Sequence, residues 1–160
     1  MKAILLTINS ALLFLCVSMY LGTGWSMVFF YFPIAPQLTV GNYYLEFVPA
    51  VDAATRFFTP MTKVMIVCCL IMIIAEWSTW RRWLPVTVLV AIIAATVLTV
   101  SLIFPYNAAM RAGIRDPATL QQTLKAWIGL NKIRVGLWTI QWVAMMLYFS
   151  VTGNSGKRAT

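Results

Sequence analysis

Four apolar runs constrain this chain more than any motif in it: Ile4 to Phe32, Met61 to Trp77, Leu84 to Phe104, and Ile133 to Val151. A hydrocarbon core about 30 Å thick is crossed by roughly 20 apolar residues of helix. The runs therefore predict a protein that lives in a bilayer. Composition agrees, since 61% hydrophobic and 10% charged residues with a mean hydropathy of +0.84 lie outside the range of soluble globular domains. At 160 residues the chain fits one domain. The expected fold is all-α, a bundle of four transmembrane helices over about 9–32, 61–79, 84–105 and 117–151, with a polar C-terminal tail at 152–160.

The first run imitates a signal peptide, with Lys2 ahead of it and small residues near LGTGWS, but it is too long for a signal core and is expected to stay as a helix. The bulky Phe14 and Leu15 before Cys16 argue against a lipoprotein signal. The connections are unequal. Helices two and three are joined by the tight STWRRW turn, whereas the first loop (Pro33 to Pro60) and the third (Pro105 to Ala126) are long enough to cover a site. Within the long first loop, YLEFVPAVDAATRFF carries Tyr44, Phe47, Val48, Val51 and Phe58 at helical spacing and predicts a short interfacial helix. Asp116 and Pro117 form an N-cap and first-turn pair, so a helix should begin there and run into the fourth membrane segment, bending at Gly129.

The formal net charge of +8 is spread over loops and tails, where anionic headgroups account for it. No basic run interleaved with aromatics lies outside the membrane segments, and no nucleic-acid partner is expected. An even helix number puts both termini on one side with Lys2, Arg81, Arg82, Lys157 and Arg158, against Arg56, Arg111, Arg115 and Lys125 opposite. The small excess leans toward cytoplasmic termini. A multi-pass protein of the bacterial inner membrane is the expected setting, with membrane lipids as its immediate partners.

The fourth segment is the unusual one. Trp127, Asn131, Arg134, Trp138, Gln141 and Met145 step by four and three residues in turn and form one stripe on a helix. A central Arg facing lipid costs at least about 2.5–3.5 kcal/mol, so the stripe should face the bundle interior. Arg134 would alternatively be an interface anchor, and Asn131 and Gln141 helix-to-helix hydrogen-bonding groups. Trp127, Trp138, Asn131 and Gln141 beside Arg134 suit a flat, oxygen-bearing ligand or a partner subunit. Small residues at Ser18, Gly22 and Ser26, and at Ala91, Ala95 and Thr99, predict close helix packing.

Metal and cofactor chemistry has little to draw on, and neither is expected. The chain has no histidine, and its three cysteines form no C-x-x-C pattern. Met61, Met65, Cys68, Cys69 and Met72 fall near one side of helix two, a stripe that suits core packing more than Cu(I). No nucleotide-binding, hydrolase-elbow or zinc-protease motif occurs. Of the four carboxylates, Asp116 is committed to its cap and Glu76 lies toward Arg81 and Arg82. Asp52 is the first candidate for a general base, its competing role being a loop carboxylate near Arg56.

Four membrane helices, a long first loop, FPYN (Phe104 to Asn107) closing helix three, and W-x-x-x-N-x-x-R (Trp127, Asn131, Arg134) opening helix four together resemble the anthrone oxygenase-like family of small membrane proteins. The resemblance spans Gly22 to about Phe149. It implies oxidation of an anthrone to an anthraquinone by molecular oxygen without an established cofactor. Such chemistry starts by removing an acidic C–H proton and needs donors for the resulting enolate oxygen. Asp52 is then the expected base, with Arg134, Asn131 and Asn107 as donors and Trp127, Trp138 and Gln141 against the small aromatic ligand. The rival expectation is an accessory subunit bound to other membrane subunits or to further copies of the chain, with Trp77, Trp80 and Trp83 as belt or contact residues. A transporter ranks third, since no broken helix pair is evident. An enzyme should carry a pocket near Asn107 and Arg134 with Asp52 folded over it; a subunit should have that space filled by side chains.

Overall fold

The structure, a computed structural model, describes residues 2–157; Arg158 and the last residues of the tail lie outside it. Among the described residues there is no strand. Helix α1 (Lys2–Ser26) runs on through a π-helical turn at Met27–Tyr31, and α2 covers Tyr43–Ala75. Helix α3 (Trp83–Leu98) passes through a second π-turn, Thr99–Ile103, into α4 (Phe104–Ala112), and α5 covers Pro117–Lys157. Four rods result, over Ala3–Tyr31, Tyr43–Ala75, Trp80–Ala112 and Pro117–Gly153, each long and apolar enough to cross a membrane. The chain is a multi-pass membrane bundle. Each rod packs on two neighbours, in the order α1, α2, α3, α5 around the bundle.

The long first loop does not exist as expected. The stretch 44–58 is the opening half of the 33-residue α2, which continues through both Pro49 and Pro60. Proline removes one ladder hydrogen bond and crowds the preceding turn, yet in a bundle neighbouring helices and Thr side chains hold such a helix together. Here Thr55, Thr59 and Thr62 each donate to the carbonyl four residues back, and the Tyr20 hydroxyl reaches Phe58 O at 3.0 Å. The true first connection is only 32–42, with a short 3₁₀ turn at Ala35–Gln37 pinned to α5 by Gln121, whose Nε2 donates to Pro36 O and Leu38 O. FPYN likewise lies inside a continuing helix, because the π-turn carries the third rod past Phe104. At the other end α5 remains helical to Lys157, so 152–157 belongs to the helix and not to a separate tail.

The start of α5 is where the sequence placed it. Asp116 Oδ2 accepts hydrogen bonds from the Thr119 amide (2.8 Å) and hydroxyl (2.5 Å). The same two bonds, hydroxyl first, hold the Asp116 carboxyl below its ordinary range. Gly113, at φ 93°, lets the chain leave α4 in a conformation that a side chain would resist.

Two apolar cores occupy the bundle. One fills the end near the termini, around Leu13, Val17, Cys69, Met72, Val88 and Met145. The other closes the loop end, around Phe32, Tyr43, Phe47, Met110, Leu120 and Trp127. Buried Tyr43 ties that end together, donating to Met110 O at 3.2 Å and accepting from the Ile114 amide. At the terminal end buried Glu76 accepts from Thr79 Oγ1 (2.7 Å), Arg81 Nε (3.0 Å) and the Tyr148 hydroxyl (3.1 Å), joining α2 to α5. Exposed Trp77, Trp80 and Trp83 stand around it, and Arg82 lies over two of them, 5.6 Å from the Trp77 ring and 5.3 Å from the Trp83 ring. Aromatic rings with a cation among them are the residue types enriched at membrane–water boundaries.

Candidate functional site

Between the two cores the helices leave space on one side of their contacts. A cavity of about 520 Å³ remains, walled by α1, α2, the third rod and α5. Both π-turns open onto it, Met27 and Tyr31 from one and Thr99, Val100 and Ile103 from the other. A π-turn inserts a residue and widens the helix, and such turns gather at functional sites. Apolar walls dominate, with threonines from α2 (Thr55, Thr59, Thr62) and from the third rod (Thr96, Thr99).

Arg134 projects into this space. Its Nη1 lies 3.5 Å from Thr99 Oγ1, its guanidinium stacks 4.7 Å from the Trp138 ring, and its buried Nε has no hydrogen-bond partner. Trp138 in turn packs on Tyr20 at 4.9 Å, and Tyr20 on Phe58 at 4.5 Å, so cation and rings form one continuous stack across three helices. Tyr20 is held by Thr62, its hydroxyl 2.6 Å from Oγ1. Among the described residues no carboxylate pairs with Arg134, and none of the four carboxylates lines the cavity.

The roof is Trp127. It packs against Phe47 (4.8 Å), Phe32 (5.9 Å) and Tyr31 (6.5 Å) and donates from Nε1 to Asn107 Oδ1 at 2.8 Å. Asn107, Trp127, Arg134, Trp138 and Gln141 thus share one cavity. Asn131 does not line it. This fully buried residue spends Nδ2 on Trp127 O (2.8 Å) on its own helix, while its Oδ1 is unpartnered. Asp52 is also outside: its neighbours Val51 and Ala50 line the wall, but its carboxylate pairs with Arg111 at the surface. The Tyr31 hydroxyl and Gln141 Oε1 are buried without protein partners.

Sequence reasoning passed over Tyr20, Tyr31, Lys63 and the threonine wall. Thr55, Thr59 and Thr62 fall at four- and three-residue steps, a legible signal hidden by assigning 44–58 to a loop. In the methionine and cysteine stripe of α2, Met65, Cys68, Cys69 and Met72 are buried in the terminal-side core and all three cysteines are free. Comparison with protein families, curated proteins and solved structures finds no match.

Proposed function

We propose that this chain binds a flat, oxygen-bearing small molecule among its helices, in the manner of the cofactor-independent anthrone oxygenases that its FPYN and W-x-x-x-N-x-x-R motifs resemble. We place it in the bacterial inner membrane. The observation that carries this reading is Arg134: a cation with an unpartnered nitrogen, stacked on Trp138, facing an apolar cavity of about 520 Å³. That volume lies within the range of small-molecule pockets, and apolar walls with a few convergent polar groups are what orient such ligands. A ring stacked between aromatic side chains would turn an oxygen toward the guanidinium, with Thr99 and Gln141 in reach of its edge.

For oxygenase chemistry the cavity offers an electrostatic partner to an enolate in Arg134. Asp52 acts as base only if it leaves Arg111 and turns inward. The accessory-subunit reading expects this space to be filled by side chains, and no observation favours it specifically. A transport path would have to cross the terminal-side core, where Leu13, Cys69, Met72, Val88 and Met145 are fully buried.

Native mass spectrometry of the protein extracted gently from its host membrane tests the proposal. The expected result is the 18.0 kDa chain carrying a small organic adduct, lost in a folded Arg134→Met variant. Recovery solely within a fixed set of other subunits would overturn it.

A further inference from the structure

Exposure is distributed unevenly around the cavity. Its lining residues from α1 and α5 are buried or half-buried, including Tyr20, Trp127, Trp138 and Gln141. The exposed ones all belong to α2 and the third rod: Ala50, Thr59, Lys63, Thr96, Val100 and Phe104. The opening is therefore lateral, between α2 and α3. Pro60 lies beside it in one helix and the Thr99–Ile103 π-turn in the other.

The depth of the opening follows from helix geometry. Arg134 precedes Tyr148, the partner of Glu76, by 14 residues, about 21 Å along α5. Lys63 precedes Glu76 by 13, about 20 Å along α2. Taking Glu76 and its tryptophan ring as one boundary of a hydrocarbon slab about 30 Å thick, both cations lie within the slab, in the third nearer the loop end. Lys63, exposed, can extend its ammonium toward the headgroups of that leaflet; Arg134, walled in, cannot. A positive charge held in such a place is costly unless an opposite charge joins it. The cavity has two cations on its walls and no carboxylate.

Resting on the small-molecule reading above, we propose that the ligand is an anionic amphiphile, a single carboxylate or phenolate-type oxygen on an apolar ring body, drawn from the bilayer through the gap between α2 and α3. Lys63 meets the anion at the mouth, and Arg134 takes it at the end of its path. The apolar body stays against Trp138 and Phe58. Capture of a carboxylate needs no base on the cavity wall, because a carboxylic acid is already ionised at neutral pH.

The test uses the full chain in phosphatidylcholine nanodiscs with two probes of matched shape, anthracene-9-carboxylate and neutral anthracene-9-carboxamide, followed by energy transfer from protein tryptophan. The carboxylate should bind saturably and at least about tenfold more tightly than the carboxamide. Arg134→Met should abolish that preference, and Arg134→Lys should retain part of it. Thr96→Phe, at the mouth, should slow association and dissociation together by about fivefold or more. Equal binding of the two probes would overturn the anionic ligand while leaving the flat-ligand reading intact; binding of neither would overturn both. Unchanged rates in Thr96→Phe would overturn lateral entry. Displacement of the probe in proportion to added phosphatidylglycerol would assign the site to a lipid phosphate and overturn the aromatic acid.

Discussion

Gly24 shows how little slack the cavity wall has. A Cβ there would lie 2.7 Å from Cε3 of Trp138 and 3.0 Å from a methyl of Val135, so the indole that carries Arg134 would have to shift. Gly24→Ala should destabilise the bundle by about 1–3 kcal/mol and displace the Trp138 ring, read as a lowered unfolding temperature in micelles with altered tryptophan emission. A second residue-scale case is Glu76, buried with three donors on its two oxygens. Glu76→Gln removes the charge that Arg81 and Tyr148 address and should cost about 1–3 kcal/mol, measured by the same unfolding. An unaltered midpoint in either variant would contradict the packing described here. The small residues expected to pack α1 behave differently from Gly24: nothing lies within 4 Å of a Cβ placed on Gly22, and Ser26 is exposed. Four-residue spacing identifies a small stripe but not the direction in which a neighbour stands. The stripe on α5 is different, because a charge in an apolar segment has an energetic reason to point inward, and spacing alone brings Asn107's partner Trp127, Arg134, Trp138 and Gln141 to one wall. Asp52 shows the limit of such reasoning, since its partner Arg111 is 59 residues away and no local pattern reports it.

At the scale of elements, rods and caps were legible and their ends were not. Proline rules stop a helix at Pro60, and they fail here because α1, the third rod and the threonine hydroxyls of α2 itself support the helix around it. The π-turns were invisible to pattern, as their sequences MVFFY and TVSLI carry no mark that an ordinary helix would lack. The Asp116 cap was legible because its chemistry is local, and it gives a pH prediction. Its carboxyl is held below the ordinary range, so its stabilisation is fully present above the unfolded-state pKa and is lost as pH falls through the lower, folded value. Hydrogen exchange at the Thr119 amide, its intrinsic pH dependence removed, should accelerate across that acidic window, and Asp116→Asn should flatten the response. An amide indifferent to acid would remove the cap from the account of how α5 begins.

For the whole molecule the informative arrangement is two packed ends around an unpacked middle. Bundles this small ordinarily fill their centre, and empty apolar volume lowers stability by leaving wall atoms without partners. Filling the cavity from within should therefore stabilise the bundle while abolishing ligand capture: Thr99→Leu is expected to raise the unfolding temperature and eliminate the carried molecule. A variant that unfolds earlier would contradict the reading of this space as unfilled apolar volume. The level of Arg134 in the bilayer has one more consequence. A ligand anion moving from the loop-side headgroups to the guanidinium crosses about 9 Å of a 30 Å slab, roughly a third of the transmembrane field, worth about 0.7 kcal/mol per 100 mV. The dissociation constant then changes about threefold with each 100 mV, in a sense fixed by which way the termini point, and an energised membrane becomes a control on how full the bundle is.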